Sequence, residues 1–245
     1  MKILVCISNV PDTTSKITFT GDNKSFNTAG VQFIINPYDE IALTRAIELK
    51  ETLGGSVTVI NVGKADTEPN IRKALAIGAD DAIRVDADPV DAFYIASQIA
   101  NVAKANAYDI ILTGKESIDY NGSEIAGMVA ELLNIPSVSV ATKLTVEGNT
   151  ATLEREVDGG KEIVTTPIPF TASAQKGMAE PRIPNMRGIM SARTKPLQVL
   201  EPIAANSFTS VENYELPAAK AACKMIPADN PAQLIDLLHN EAKII

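Results

Sequence analysis

The pattern of apolar and polar residues divides the first half of the chain into alternating strands and helices. Four runs are almost continuously apolar and rich in β-branched residues, as is typical of strands covered on both faces. They span residues 2–7, 56–60, 81–85 and 109–113. The segments between them carry apolar residues at helical spacing. Strands that alternate with helices in this way predict an α/β fold with a mostly parallel sheet, right-handed crossovers and helices on both faces.

Start and stop signals bound the predicted helices. Glycines follow the first and second helices, and prolines lie near the beginning of the second and third. The helices are predicted over residues 39–53 and 67–78, from Asp88 to about Ala103, and from about Gly122 to Leu133. In an open parallel sheet, ligands bind beyond the carboxyl ends of the strands. The strand-to-helix loops at residues 8–38, 61–68, 86–88 and 114–121 therefore matter most for function.

The pattern changes after Pro136. Residues 137–176 are predicted to form antiparallel strands, with turns at 147–149 and 158–160. A segment broken by two prolines follows at 180–190, with a short helix predicted near 185–193. We divide the chain into an α/β domain at residues 1–200 and a C-terminal arm at 201–245. The arm is rich in proline but retains apolar side chains, so we expect it to wrap its own body or a partner, and we assign it to packing on a partner subunit. A last helix is predicted at about 231–242.

Composition excludes several classes of function. The chain contains 22 Lys and Arg and 30 Asp and Glu, and the resulting net charge of −8 disfavours binding of nucleic acid. No apolar run approaches the roughly 18 residues that span a bilayer, so we expect no membrane insertion. A strand that begins at Lys2 leaves no room for a signal peptide. Two cysteines and one histidine are too few for a disulfide scaffold or a zinc site. These features predict a cytoplasmic protein.

No catalytic constellation stands out in the sequence. Glycine-rich dinucleotide and P-loop motifs and the zinc-protease motif are absent. Cys6 is interpreted as a buried packing residue at the end of the first strand. His239 is interpreted as a solvated residue near a helix end. The chain is therefore not expected to be an enzyme.

The loop from Thr113 to Glu124 follows a buried strand and leads into a helix. Gly114 permits a tight turn, and Asn121, Gly122 and Ser123 would present free amides at the helix start, where a phosphate binds well. Lys115 would add positive charge. The alternative is that Asp119 or Asn121 only caps the helix and that Lys115 is solvated.

A second candidate segment runs from Ile35 to Glu40. Its Asn-Pro pair is a turn initiator, and its two acidic residues suit the first turn of a helix without any further role. A functional interpretation gains weight because this helix start is expected to open onto the same crevice at the strand ends.

The chain resembles the β subunit of electron transfer flavoprotein along nearly its whole length. Five blocks occur in the expected order, which makes the resemblance specific. They lie at residues 36–42, 74–80, 112–119, 154–160 and 180–190. The resemblance implies a Rossmann-like fold similar to that of the adenine nucleotide α-hydrolases. It also implies a heterodimer with an α subunit that holds most of one FAD, the redox centre.

In the AMP-containing branch of that family, the β subunit buries an AMP with a structural role. Carried over by position, the AMP would be held by three parts of this chain. These are Cys6 (through its backbone) and Val62, then Asn36, Pro37, Tyr38 and Asp39, and finally the loop formed by Gly114, Lys115, Glu116, Ser117, Ile118, Asp119, Tyr120, Asn121, Gly122, Ser123, Glu124 and Ile125.

Two departures from the family pattern affect this site. Many members have Gln in place of Glu116, and a carboxylate disfavours a phosphate unless it points away or pairs with Lys115. Electron-bifurcating members hold a second FAD instead of AMP and read Asp-Thr-Ala-Gln-Val-Gly-Pro after the Ile-Asp pair. This chain reads Tyr-Asn-Gly-Ser-Glu-Ile-Ala over 120–126, which favours AMP.

The segment 180–190 is similar to the family's recognition loop, which docks partner dehydrogenases. Met186 falls at the position of the apolar anchor, with Ile183 and Arg187 beside it. A core methionine is the alternative, although two prolines and flanking arginines suit a core poorly. Glu156 resembles the carboxylate that pairs with an arginine of the α subunit. The implied partners are acyl-CoA or other dehydrogenases of fatty acid oxidation and similar pathways, together with a quinone oxidoreductase as electron acceptor.

Two further classes compete with the electron carrier. A nucleotide-hydrolysing enzyme on the same fold needs a Ser-Gly-Gly-type pyrophosphate loop after the first strand, and residues 8–12 do not supply one. A stand-alone nucleotide-binding stress module would not need the long C-terminal arm.

Overall fold

The computed structural model of the protein describes residues 1–220 and 222–245, and it is built on a sheet of nine strands. In chain order the strands of this sheet are β1 (Lys2–Cys6), β4 (Ser56–Val62), β5 (Asp81–Val85), β6 (Ile110–Gly114), β7 (Ser137–Glu147), β8 (Thr150–Val157), β9 (Gly160–Pro167), β10 (Phe170–Ala174) and β11 (Leu197–Leu200). Their spatial order is β11-β5-β4-β1-β6-β10-β7-β8-β9. The strands β2 (Asn9–Pro11) and β3 (Phe33–Ile35) pair separately as a small antiparallel sheet.

Helices cover both faces of the large sheet, which confirms the predicted α/β class. They are α1 (Pro37–Leu53), α2 (Glu68–Ile77), α3 (Ala92–Asn106), α4 (Ile125–Leu133), α5 (Met186–Ala192) and α6 (Pro231–Asp236). A 3₁₀ turn precedes α2 at Ala65–Thr67, and a π-helical turn follows α6 at Leu237–Glu241. Within the described ranges, no helix combines the length and the apolar character needed to cross a bilayer.

The first strand lies at the centre of the sheet and is buried on both faces. Ile3 and Val5 pack with α1 and α2 in one apolar cluster, whereas Leu4 and Cys6 pack with α3 and α4 in another. β1 pairs in parallel with β4 on one side and with β6 on the other. The continuous apolar run therefore predicted the burial correctly, and the carboxyl ends of these three strands meet at one edge of the sheet.

The second half of the sheet is antiparallel only in part. β7, β8 and β9 pair in antiparallel fashion through the two predicted turns, in which Gly148 and Gly159 have positive φ angles. The prediction of antiparallel strands throughout 137–176 is wrong for β10, which lies parallel to both β6 and β7. All five residues of β10 are buried, as in a central parallel strand, because the chain crosses back into the middle of the sheet.

Two helices begin later than predicted. α3 begins at Ala92 rather than at Asp88, because the carboxylate of Asp91 caps it by accepting a hydrogen bond from the Tyr94 amide at 2.7 Å. α4 begins at Ile125 rather than near Gly122. The Asn121 backbone is left-handed, with a φ of 57°, and this conformation holds the preceding residues in a turn.

The chain after the sheet is extended. β11, a strand that the sequence pattern did not predict, pairs in parallel with β5 and forms one edge of the sheet. It has only four residues between two prolines, too few for a periodic signal. The short helix predicted near 185–193 is α5, and the last predicted helix corresponds to α6 and the π-helical turn.

Candidate functional site

A cavity of about 1730 Å³ lies at the carboxyl edge of the parallel strands. Its inner wall is formed by the ends of β1, β4 and β6 and by the start of α1, and the loop from 116 to 125 lies on one side. Ligand pockets in proteins usually measure roughly 300–1,000 Å³. The cavity is therefore large enough for more than a mononucleotide.

A buried carboxylate joins three chain segments at the base of the cavity. Oδ1 of Asp39 accepts hydrogen bonds from the Gly114 amide at 2.9 Å and from Nδ2 of Asn36 at 3.0 Å. Its Oδ2 accepts hydrogen bonds from the amide and from the hydroxyl of Ser8, both at 2.7 Å. The end of β1, the start of α1 and the end of β6 are thus held together by one side chain.

Asn36 extends this network into the loop after β6. Its Nδ2 also donates to the carbonyl oxygen of Glu116 at 2.8 Å, and its Oδ1 accepts from the Ile118 amide at 3.4 Å. Only 1% of Asn36 is exposed, so the loss of these bonds would leave buried polar groups without partners. The residue just before α1 therefore fixes the position of the candidate phosphate loop.

Burial perturbs both titratable groups at the base of the cavity. It raises the pKa of Asp39 to about 6, although the hydrogen bonds from Ser8, Asn36 and Gly114 act in the opposite direction. Burial, together with the nearby Asp39 carboxyl, raises the pKa of the Cys6 thiol. At neutral pH the thiol is therefore protonated and is not a nucleophile, which supports the packing interpretation of Cys6.

Lys115 and Glu116 form an ion pair beside the cavity. Nζ of Lys115 lies 3.3 Å from Oε1 of Glu116 and 4.9 Å from the centre of the Tyr38 ring. Burial alone would lower the pKa of Lys115, but hydrogen bonds with Glu116 and Tyr38 outweigh it and raise that pKa. Glu116 thus pairs with Lys115, which is one of the two arrangements expected from the sequence for a carboxylate near a phosphate site.

The loop between Ser117 and Gly122 is a closed turn. The Ser117 amide donates to the Gly122 carbonyl at 2.9 Å, and the Asn121 amide donates to the Ser117 carbonyl at 2.7 Å. The prediction that the Asn121 amide is free is therefore wrong. Gly122 is buried beside the Tyr120 ring and pairs with Ser117, so its amide is not available either. Within residues 1–220 and 222–245, the exposed Ser123 amide has no hydrogen-bond acceptor and stays available for a ligand.

The structure places most of the predicted nucleotide contacts on the cavity wall. The predicted residues that line it are Cys6, Asn36, Pro37, Tyr38, Asp39, Val62, Gly114, Glu116, Ser117, Ile118, Asp119, Tyr120, Gly122, Ser123, Glu124 and Ile125. Lys115 and Asn121 belong to the same loop but do not line the cavity. The lysine is turned toward Tyr38 and Glu116 instead, so its charge acts on the cavity only from beside it.

The cavity wall carries more negative than positive charge. Its acidic residues are Asp12, Asp39, Asp66, Asp88, Asp91, Glu116, Asp119 and Glu124, and among the described lining residues Lys64 is the cation. Carboxylates repel a phosphate, so the donors suited to one are the free Ser123 amide before α4 and the Lys64 ammonium. The donor set fits a nucleotide, while the carboxylates limit its affinity.

Several lining residues were missed from the sequence. Ser8 holds Asp39, and Asp91 and Phe93 form the wall at the start of α3. Phe208, Thr209, Val211 and Tyr214 from the C-terminal arm also line the cavity. A capping residue before a strongly periodic helix was the available signal for Asp91, whereas nothing local marked the arm residues as part of the site.

The predicted docking segment is exposed. Ile183 is 93% and Met186 is 72% exposed, so Met186 is not a core residue. Asn185 caps α5 by accepting a hydrogen bond from the Gly188 amide at 2.8 Å, which presents Met186 on the first turn. The side chain of Arg187 is likewise on the exposed surface.

Glu156, the predicted contact with a partner subunit, lies at the opposite end of the sheet from β11. It is exposed on β8 and lines a polar groove of about 600 Å³. The groove also contains the cationic residues Arg45, Lys143, Lys161 and Lys176, together with Glu154. Such mixed charge suits a protein surface better than a single small anion.

The comparisons with known proteins agree with the resemblance found in the sequence. The family model of the electron transfer flavoprotein domain matches residues 24–205. The chain is 36% identical to the electron transfer flavoprotein subunit beta of Bacillus subtilis (strain 168), with 100% of both chains covered. It is 39% identical to that of Syntrophomonas wolfei, covering 91% of this chain and 88% of the relative. It is 33% identical to that of Homo sapiens, with 91% of each covered.

A mostly parallel sheet with helices on both faces and a cavity beyond the carboxyl ends of its strands defines an open α/β class of protein. Together with these matches over nearly the whole length, it places the chain in the electron transfer flavoprotein beta-subunit family.

Proposed function

We propose that the chain is the β subunit of a heterodimeric electron transfer flavoprotein, in which it serves as a carrier component rather than as an enzyme. It pairs with an α subunit that holds most of one FAD, and it binds AMP in the cavity at the sheet edge. When bound, the FAD supplies the one-electron chemistry. The β chain supplies the scaffold, the nucleotide site and the docking segment.

The observation that carries the proposal is the cavity itself, in a chain that matches the family from end to end. The Ser123 amide is available just before α4, where the helix dipole favours a phosphate. Asn36 and Asp39 hold the surrounding loops in place without blocking them. A nucleotide bound only to the folded state would also stabilise the fold.

The docking segment supports a role in recognising dehydrogenases. Ile183, Met186 and Met190 present a row of apolar side chains that lie mostly outside the core. Methionine is an adaptable contact for partners of differing shape. Acyl-CoA or other dehydrogenases would donate electrons to the heterodimer through this surface, and a quinone oxidoreductase would accept them. Glu156 would contact an arginine of the α subunit.

A second FAD in place of AMP is the competing proposal, and the size of the cavity favours it. The volume of about 1730 Å³ exceeds what a mononucleotide needs. The sequence of the loop over 120–126 favours AMP, as the bifurcating pattern is absent there. A nucleotide-hydrolysing module is less well supported, because residues 9–11 form β2 rather than a pyrophosphate loop.

Counting nucleotides in the purified heterodimer tests the proposal. The chain is produced together with an α subunit, the complex is denatured in acid, and the released nucleotides are separated and quantified. One FAD and one AMP per heterodimer are expected, and the β chain alone is expected to be colourless. Two FAD without AMP would establish the bifurcating type, and FAD without any second nucleotide would refute the proposed site.

A further inference from the structure

The chain stays attached to the body of the protein after β11. The side chain of Gln98 on α3 is buried, and it makes two hydrogen bonds with the backbone of Ile203. Its Nε2 donates to the Ile203 carbonyl at 2.9 Å and its Oε1 accepts from the Ile203 amide at 2.8 Å. This reciprocal pair fixes the beginning of the segment 203–214, which we call the strap.

A second attachment lies at the start of α3. Oδ2 of Asp91 accepts hydrogen bonds from the amides of Phe208 and Thr209, while its Oδ1 caps α3. Burial raises the pKa of Asp91, but the backbone donors outweigh it and hold the pKa below its ordinary range. The ring of Phe208 meets the ring of Phe93 edge to face, with 4.8 Å between their centres.

A third attachment lies on the other wall of the cavity, in the loop between β2 and β3. The Tyr214 amide donates to the Asn23 carbonyl at 2.7 Å, and the Tyr214 ring stacks on Phe19 with 4.8 Å between the ring centres. The strap therefore runs from α3 to the loop between β2 and β3, two elements that are far apart in the chain. Residues of both elements line the cavity, and so do Phe208, Thr209, Val211 and Tyr214.

We propose that the strap is the closing wall of the ligand cavity and that it retains the bound nucleotide. This inference rests on the proposed function, since it requires a nucleotide in the cavity. The strap belongs to the binding site, whereas the rest of the arm, beyond Tyr214, stays available for a partner subunit. Under this proposal, only the part of the arm beyond Tyr214 is left to pack on a partner subunit.

The strap is built to open locally rather than to support the core. Phe208 is 68% and Val211 is 55% exposed, so their side chains bury little apolar surface. A segment held by a few hydrogen bonds and two ring contacts opens at a much lower free energy than the whole protein. Such a segment controls the rates at which a ligand enters and leaves, because both steps require the strap to detach.

The test measures nucleotide release from the intact heterodimer. The heterodimer is loaded with isotopically labelled AMP, excess unlabelled AMP is added, and the label that remains is followed over time. The variant combines Phe208→Ala with Tyr214→Ala, which removes both ring contacts and keeps the backbone. The control is Leu216→Ala, an exposed apolar residue of the same arm just beyond the strap.

The double variant is expected to release AMP at least tenfold faster than the wild type. Each single variant should accelerate release by a smaller factor, and the control should release AMP at the wild-type rate. Melting temperatures should stay close together. Equal release rates in the wild type and the double variant would overturn the strap while leaving the proposed function intact. Equal acceleration by Leu216→Ala would also overturn it. A wild-type heterodimer without a nucleotide in this subunit would overturn the proposed function and the strap together.

Discussion

Asp39 and Gly114 approach each other so closely that no side chain fits between them. The Gly114 amide donates to Oδ1 of Asp39 at 2.9 Å, and a Cβ added to Gly114 would lie 2.4 Å from the same oxygen. It would also lie 2.9 Å from the Asp39 amide nitrogen, which is backbone and cannot rotate away. The close approach of β6 to the start of α1 thus depends on a glycine at this position.

Gly114→Ala is therefore expected to lower the free energy of unfolding by about 1–3 kcal/mol, the usual cost of overpacking. Urea denaturation of the purified chain measures it. The matched control is Gly127→Ala in α4, where an added Cβ meets nothing within 4 Å. This second change should stabilise the protein by roughly 0.5–1 kcal/mol, because alanine is the better helix former. A Gly114→Ala protein as stable as the wild type would contradict the close approach.

Asp39 gives the stability of the protein a distinctive pH dependence. Burial raises its pKa from 3.8 to about 6 in the folded state. Between these values the folded state binds the proton more tightly than the unfolded state does. The contribution of Asp39 to the free energy of unfolding therefore increases as the pH falls from about 7 to about 4.

The comparison with Asp39→Asn isolates this contribution, because the variant does not titrate at that position. The unfolding free energy of the wild type minus that of the variant should increase as the pH is lowered through this interval. The other carboxylates are common to both proteins, so their effects cancel in the difference. Denaturant titrations at a series of pH values provide the measurement, and parallel pH profiles would show that Asp39 does not titrate there.

Glu116→Gln is expected to raise the affinity of the site for AMP by about three- to tenfold. The change removes a carboxylate from the cavity wall and releases Lys115 from its ion pair at 3.3 Å. Isothermal titration of the nucleotide-free protein with AMP measures the affinity. Glu131→Gln on α4, at an exposed position off the cavity wall, is the control. A weaker or unchanged affinity in Glu116→Gln would mean that the carboxylate does not oppose the phosphate.

Met186→Ala is expected to weaken docking of a dehydrogenase and to leave the fold intact. Truncation of a buried interface anchor commonly costs about 2 kcal/mol or more, roughly thirtyfold in affinity. The Michaelis constant for the flavoprotein in a dehydrogenase-coupled assay should therefore rise, while the melting temperature stays the same. A large loss of stability with unchanged coupling would refute the docking role.

Met178→Ala is the matched control for this prediction, since it changes the same residue type in the core. Met178 is 6% exposed, against 72% for Met186. Its truncation is expected to cost about 2–5 kcal/mol of stability. Docking of the folded protein should not change.

The parallel half of the sheet could be predicted because its signals are local. The apolar run of β1 and the glycine after α1 each lie within a few residues of the element that they define. β10 could not be predicted in the same way, because its parallel pairing with β6 and β7 depends on where the chain re-enters the sheet. Its sequence, Phe-Thr-Ala-Ser-Ala, is also only weakly apolar.

In the candidate site, too, the residues with a local sequence signal could be predicted and those brought in by long-range contacts could not. The sequence could place Asn36 and Gly114 on the cavity wall, because they stand where a predicted helix begins and where a predicted strand ends. The contact between Asp91 and the Phe208 amide joins residues 117 positions apart. Asp91 has a local signal as a helix cap, but nothing in the sequence around Phe208 indicates that the two residues meet. The prediction of a free Asn121 amide failed because a turn within the loop occupies it.

The strap is also the last part of the cavity to be synthesised. The other walls come from residues 6–128, whereas the strap follows the final strand of the sheet. Ribosomes add roughly 5–20 residues per second, and folding begins at the N-terminal side. The nascent chain therefore passes through an interval in which the crevice is formed and still open. If a nucleotide binds in the crevice as proposed, the strap encloses it once residues 203–214 have emerged.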